Sequence, residues 1–79
     1  MHLPSPAQIR AARAMLNWSK VDLAKAASVS VSTVLNFEGR DPERVSEGSA
    51  GAIRVALETA GVCFLQDDNE AAGVMLRPR

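Results

Sequence analysis

Residues 19–40, SKVDLAKAASVSVSTVLNFEGR, decide the fold of this 79-residue chain. Ser19 is followed three residues later by Asp22, and Ser30 by Thr33, so the same opening recurs eleven positions on. A serine in this position caps the orphan N–H groups that begin a helix. Trp18 and Leu23 flank the first cap, and Val29 and Val34 flank the second, at the spacing of a hydrophobic staple. The sequence therefore predicts two short helices, each with its own start signal.

Only Ala27, Ser28 and Val29 are available to join them, so the second helix must leave the first at a steep angle. That is the geometry of a helix-turn-helix. Leu23, Ala24 and Ala27 on the first helix and Val34 and Phe37 on the second follow helical spacing and form the inward face. The outward face of the second helix carries Ser30, Val31, Ser32, Leu35 and Asn36. Short, uncharged side chains let a helix enter a DNA major groove. A solvated helix in an ordinary bundle is the plainer alternative.

Ser19-Lys20-x-Asp22-Leu23-Ala24-x-Ala26-Ala27, followed by Val29-Ser30-x-Ser32-Thr33-Val34-x-x-Phe37-Glu38, resembles the lambda-repressor-like, Cro/CI-type (XRE) family of DNA-binding domains. The resemblance runs from about Ile9 to Leu57. Three positions depart from the family pattern. Ser28 stands where glycine is usual and must accept a left-handed or modified turn. Lys20 replaces a common glutamine, and the ending Glu38-Gly39-Arg40 exchanges the last two residue types.

Composition sets further bounds. Apolar residues make up 47% of the chain and aromatics only 4%, which suits helices packed through small side chains. A chain this short forms one domain with a small core, for which association is a source of added stability. No apolar run approaches the ~20 residues of a membrane-spanning helix, and no secretory leader is evident, so a cytoplasmic protein is expected. Cys63 is the only cysteine and has apolar neighbours, which predicts a buried thiol and excludes an internal disulfide. His2 is the only histidine, and its place at the start predicts a mobile segment. Nucleophile–histidine pairs, histidine metal clusters and phosphate-cradling glycine loops are missing, so neither catalysis nor a cofactor or metal is expected. The net charge is zero, yet residues 1–54 carry seven basic side chains against five acidic ones. Binding to nucleic acid would then depend on a few placed contacts rather than on bulk charge.

Outside the central segment, Ser5-Pro6-Ala7-Gln8 opens a first helix that runs to about Leu16 or Asn17, with Ile9, Ala12 and Leu16 inward and Arg10 outward. Arg13 lies beside that inward stripe and needs a partner, for which Glu38 is the best candidate. In the family resembled here, such a pair braces the recognition helix. Residues 41–49 read as a loop, and a fourth helix starts near Ser46 or Ser49 and stops at Gly61. Arg54, on that helix, is either a phosphate contact or a solvated charge. Val62-Cys63-Phe64-Leu65 and Gly73-Val74-Met75-Leu76 read as two short strands joined by an acidic connection that lacks the pattern of a calcium loop. The expected architecture is mainly α: a four-helix lambda-repressor-like unit over residues 1–61 with a strand pair at 62–79 in the same domain. Strand pairing between two copies is the expected dimer contact, with Val62, Phe64, Val74 and Leu76 at the interface. An intramolecular hairpin that closes the core is the alternative.

The resemblance implies a homodimeric transcriptional regulator of bacterial or phage type, most plausibly a repressor, binding double-stranded DNA at an inverted repeat. It puts Val31, Ser32 and Asn36 against the bases. Arg10, Lys20, Ser30 and Arg40 would hold phosphates. The competing expectation is a helix-turn-helix-fold interaction module of antitoxin or anti-activator type, without DNA binding. RNA binding is a weaker alternative, since Trp18, Phe37 and Phe64 are the only aromatics and all are expected in the core.

Overall fold

The computed structural model describes residues 3–66 and 72–78. Four α-helices, α1 (Pro6–Leu16), α2 (Lys20–Ala27), α3 (Val31–Leu35) and α4 (Glu47–Thr59), precede two strands, β1 (Val62–Gln66) and β2 (Ala72–Leu76). The expectations for His2 and for the acidic connection at residues 67–71 fall outside the described residues.

Each helix opens on a serine. Ser5, Ser19, Ser30 and Ser46 all have extended backbone and accept an N–H from the third residue on. At Ser5 and Ser19 the bond is returned by Gln8 and Asp22, which completes a capping box. A cap of this kind contributes about 1 kcal/mol.

The chain leaves α1 and α2 by the same turn. Asn17 and Ser28 are both left-handed, at φ 57°. In each case the next residue reaches back five positions, Trp18 N to Arg13 O at 2.9 Å and Val29 N to Ala24 O at 3.0 Å. This is the Schellman closure, which usually ends on glycine. Ser28 therefore keeps the usual turn at the cost of strain. Holding a residue with a Cβ in that conformation costs roughly 1–2 kcal/mol, so Ser28→Gly is expected to raise stability by about 1 kcal/mol. The check is a higher urea midpoint at unchanged slope; a lower midpoint would mean that the serine side chain is itself stabilising.

The second helix of the pair differs from expectation at its end. After Leu35 the turn widens, and Asp41 N donates to Asn36 O at 3.1 Å across five residues. Gly39, at φ 140°, breaks the helical path, and a 3-10 turn at Pro42–Arg44 occupies part of the expected loop. The Arg10 guanidinium of α1 donates to the Glu38 carbonyl, one of the carbonyls that a helix end leaves without an N–H.

The core joins Ile9 and Ala12 of α1, Leu23, Ala24 and Ala27 of α2, Val34 of α3, and Ile53 and Leu57 of α4. Phe37 is buried with them, and Trp18 and Phe64 are half-buried against the cluster. The strands pair with each other in one chain, antiparallel, from Val62 opposite Leu76 to Gln66 opposite Ala72. This corrects the expected interface. Val62 is 0% exposed in the core, and Phe64 and Val74 pack against it, so these side chains cover the chain's own helices. Leu76 shares their face but is exposed at the strand end. Cys63 is also corrected: it is half-buried and accepts from Arg77 Nε at 3.2 Å. It lies on the outer face because its neighbours Val62 and Phe64 point in.

Gln8 fastens the hairpin to α1. Its Oε1 accepts the Ser5 N–H at 2.8 Å, and its Nε2 donates to Leu65 O at 3.1 Å and Gly73 O at 3.0 Å, one carbonyl from each strand. One side chain thus completes a helix cap and ties down both strands.

Candidate nucleic-acid interface

The surface built by α2, the Schellman turn and α3 presents the residues singled out from sequence. Val31 is 37% exposed, Ser30 and Ser32 are exposed, and Leu35 and Asn36 are half-buried. The backbone carbonyl of Asn36 is fixed by Asp41, while its side-chain amide bonds to none of the described residues. An amide in that state offers a donor and an acceptor side by side, the pattern that matches the major-groove edge of adenine.

What holds this face in position is one ion pair. Arg13 Nε lies 2.6 Å from Glu38 Oε2 and Nη2 lies 2.7 Å from Oε1, a two-pronged contact with side-chain exposures of 17% and 3%. Arg13 Nη1 also donates to Trp18 O at 3.1 Å, so the same guanidinium grips both the end of the second helix and the segment leading into α2. Hydrogen bonding to Glu38 keeps the guanidinium pKa above its ordinary value, against the smaller effect of desolvation. Arg10 reaches the same residue through its backbone carbonyl. From sequence Arg10 was expected as an outward charge holding a phosphate, not as a second contact to Glu38. The missed signal is the three-residue spacing of Arg10 and Arg13, which puts both on neighbouring positions of one helical surface.

Lys20 is the first residue of α2 and is half-buried. The start of that helix also holds the Asp22 carboxylate, which accepts the Ser19 N–H at 2.9 Å. That backbone bond holds the Asp22 carboxyl below its usual range. The sign follows: with the folded pKa depressed, the cap's contribution is present above the unfolded carboxyl pKa and is lost as pH falls through the folded value. It also means that the helix dipole is already complemented at this end, so attraction of an anion there rests on the Lys20 charge. Ser30 Oγ accepts Thr33 N at 3.1 Å and lies 2.8 Å from Thr33 Oγ1, so its hydroxyl serves the cap. The Arg40 side chain lies outside what is described. Arg54 pairs with Glu58 at 3.3 Å, beside Phe64 and Gln66 of β1.

Among the described residues no group of three or more His, Cys, Asp or Glu side chains could hold a metal ion, and no helix is long and apolar enough to cross a membrane. No protein-family model and no curated protein matches the chain. The α2–α3 face thus has to be interpreted from its own chemistry.

Proposed function

We propose that this protein is a sequence-specific, double-stranded-DNA-binding transcriptional regulator of the lambda-repressor-like type. It acts in the cytoplasm as a homodimeric repressor at an inverted-repeat operator. The observation that carries the reading is the uncharged outer face of α3, with Val31 and Ser32 exposed and, just past its end, a half-buried Asn36 amide bonded to none of the described residues, braced from behind by the buried Arg13–Glu38 pair. Such a face fits a major groove, and the brace keeps it from shifting when it does.

In this reading Asn36 contacts adenine through two hydrogen bonds, Val31 covers a thymine methyl group, and Ser32 accepts more than one base edge. Lys20, with Arg40 and the outward N–H groups of Arg10, holds phosphates and sets the register. Ser30 adds to the phosphate contacts from the cap position. Two copies bring two such helices into successive major grooves roughly 34 Å apart. Lys20→Ala is expected to weaken binding to all sequences alike and to lower the salt slope by about 1, measured by titrating a fluorescent duplex over a range of salt. A loss confined to one base position would remove Lys20 from the phosphate contacts.

Selection of bound duplexes from a random pool at near-physiological salt tests the whole reading. Enrichment of an inverted repeat supports it; no enrichment by folded protein overturns it. A second reading, an interaction module of antitoxin or anti-activator type without DNA binding, draws on the zero net charge and on an apolar groove of about 630 Å³ between α2 and α4, lined by Trp18, Gly51 and Val55 among others. Failure of the selection would bring that reading forward.

A further inference from the structure

We infer that Leu35, with Val31, reads the C5-methyl groups of pyrimidines in the major groove, so that the half-site is built on A·T pairs and accepts a 5-methylated cytosine where a thymine stands. The inference rests on the DNA reading proposed above and adds to it a specificity residue and the class of site that suits it.

Leu35 is an apolar side chain without a place in the core. Among the half-buried leucines, valines and aromatics of the described residues, Leu16, Trp18, Val29, Val45, Phe64 and Val74 all pack against the core cluster, and Leu35 does not. Val31, one turn before it, is 37% exposed. A spacing of four puts the two side chains at neighbouring positions of one helical face. Their exposed area gains nothing from folding, and it gains from an apolar partner.

Asn36 continues the helical path, at φ −64° and ψ −44°. The outer face therefore carries two rows side by side, apolar Val31 and Leu35 and polar Ser32 and Asn36. An A·T pair shows a matching order along its major-groove edge: the adenine N7 acceptor and N6 donor, then the thymine O4 and the thymine methyl. With the Asn36 amide on an adenine, Leu35 is set beside a pyrimidine methyl of the same or the next pair. One helical turn advances roughly 6 Å along the axis, close to two base steps of about 3.4 Å each, so Val31 meets a second methyl two pairs away.

What the helix lacks points the same way. From Ser30 to Phe37 no side chain is charged. The helix thus has no arginine or lysine to grip guanine O6 and N7, and no carboxylate to accept from cytosine N4. Its groups suit adenine and the thymine methyl. A leucine makes no hydrogen bond, so it recognises the methyl and not the base that carries it. Thymine and 5-methylcytosine present that methyl at the same place.

The test uses the wild-type protein and the duplex enriched by selection. Each thymine of the half-site is replaced in turn by uracil, which removes the methyl and keeps every hydrogen-bonding group. Two positions, two pairs apart, are expected to lose about fourfold in affinity per half-site, the value of one buried methyl. Leu35→Ala should cancel the thymine–uracil difference at one of them and Val31→Ala at the other. Leu35→Met keeps an apolar side chain of similar volume and should retain it. With cytosine at the Leu35 position, methylation at C5 should strengthen binding by about the same factor. Uracil tolerated at every thymine, or a difference that survives Leu35→Ala unchanged, would overturn the inference and leave the DNA reading standing. Equal binding of cytosine and 5-methylcytosine would overturn acceptance of the methylated base. No enrichment in the selection itself would remove this inference and the DNA reading together.

Discussion

Glu38→Ala is expected to lower the folding free energy by about 3–5 kcal/mol, the cost typical of removing one partner from a buried ion pair. The Glu38 carboxylate is 3% exposed, and both of its oxygens are taken by Arg13. Deleting it leaves a guanidinium at 17% exposure with a single remaining bond, to Trp18 O. A domain of this size has a net stability of only about 5 kcal/mol, so the variant should be largely unfolded at modest urea or temperature. Urea unfolding followed by the fluorescence of Trp18 measures this. Glu38→Gln keeps the shape and loses the charge, so it should cost less than alanine. A Glu38→Ala loss below about 1 kcal/mol would show that Arg13 behaves as a surface charge and that the pair does not brace the second helix.

Asn36→Ala is expected to cost about 1–3 kcal/mol of binding on the best DNA site and to erase the preference at one base position. Folding should change little. The Asn36 side chain bonds to none of the described residues, and the contact that shapes the widened turn is made by its backbone carbonyl. Binding curves on the selected duplex and on single-base variants separate the outcomes. If the variant weakens every sequence equally, Asn36 is a positioning group and sequence is read elsewhere on α3.

The local signals in the sequence were the most legible. Ser5, Ser19, Ser30 and Ser46 announce four helices because a cap depends only on a serine and the next three residues. The Arg13–Glu38 contact could be anticipated from a charge beside an apolar stripe, which requires a partner wherever it is buried. Contacts made by backbone groups left no such trace. Arg10 finds the Glu38 carbonyl beside the widened turn, and a carbonyl looks the same at every position of a sequence. Gln8 was visible as a cap, but its second bond pair to the strands was not.

The tail was legible as strands and misread in orientation. Val62 and Phe64 alternate with Cys63 and Leu65, so both faces are apolar and periodicity does not tell which one meets the helices. Packing decides. Val62 at the end of the Gly61 turn drops into the core, and alternation then sends Cys63 and Leu65 outward.

The most direct test of the central claim, that the α2–α3 face reads DNA, is amide chemical-shift mapping with the duplex enriched by selection. The largest shifts are expected at Lys20 and its neighbours and from Ser30 to Asn36, with α4 little affected. Shifts centred on the groove between α2 and α4, or none at saturating duplex, would contradict it.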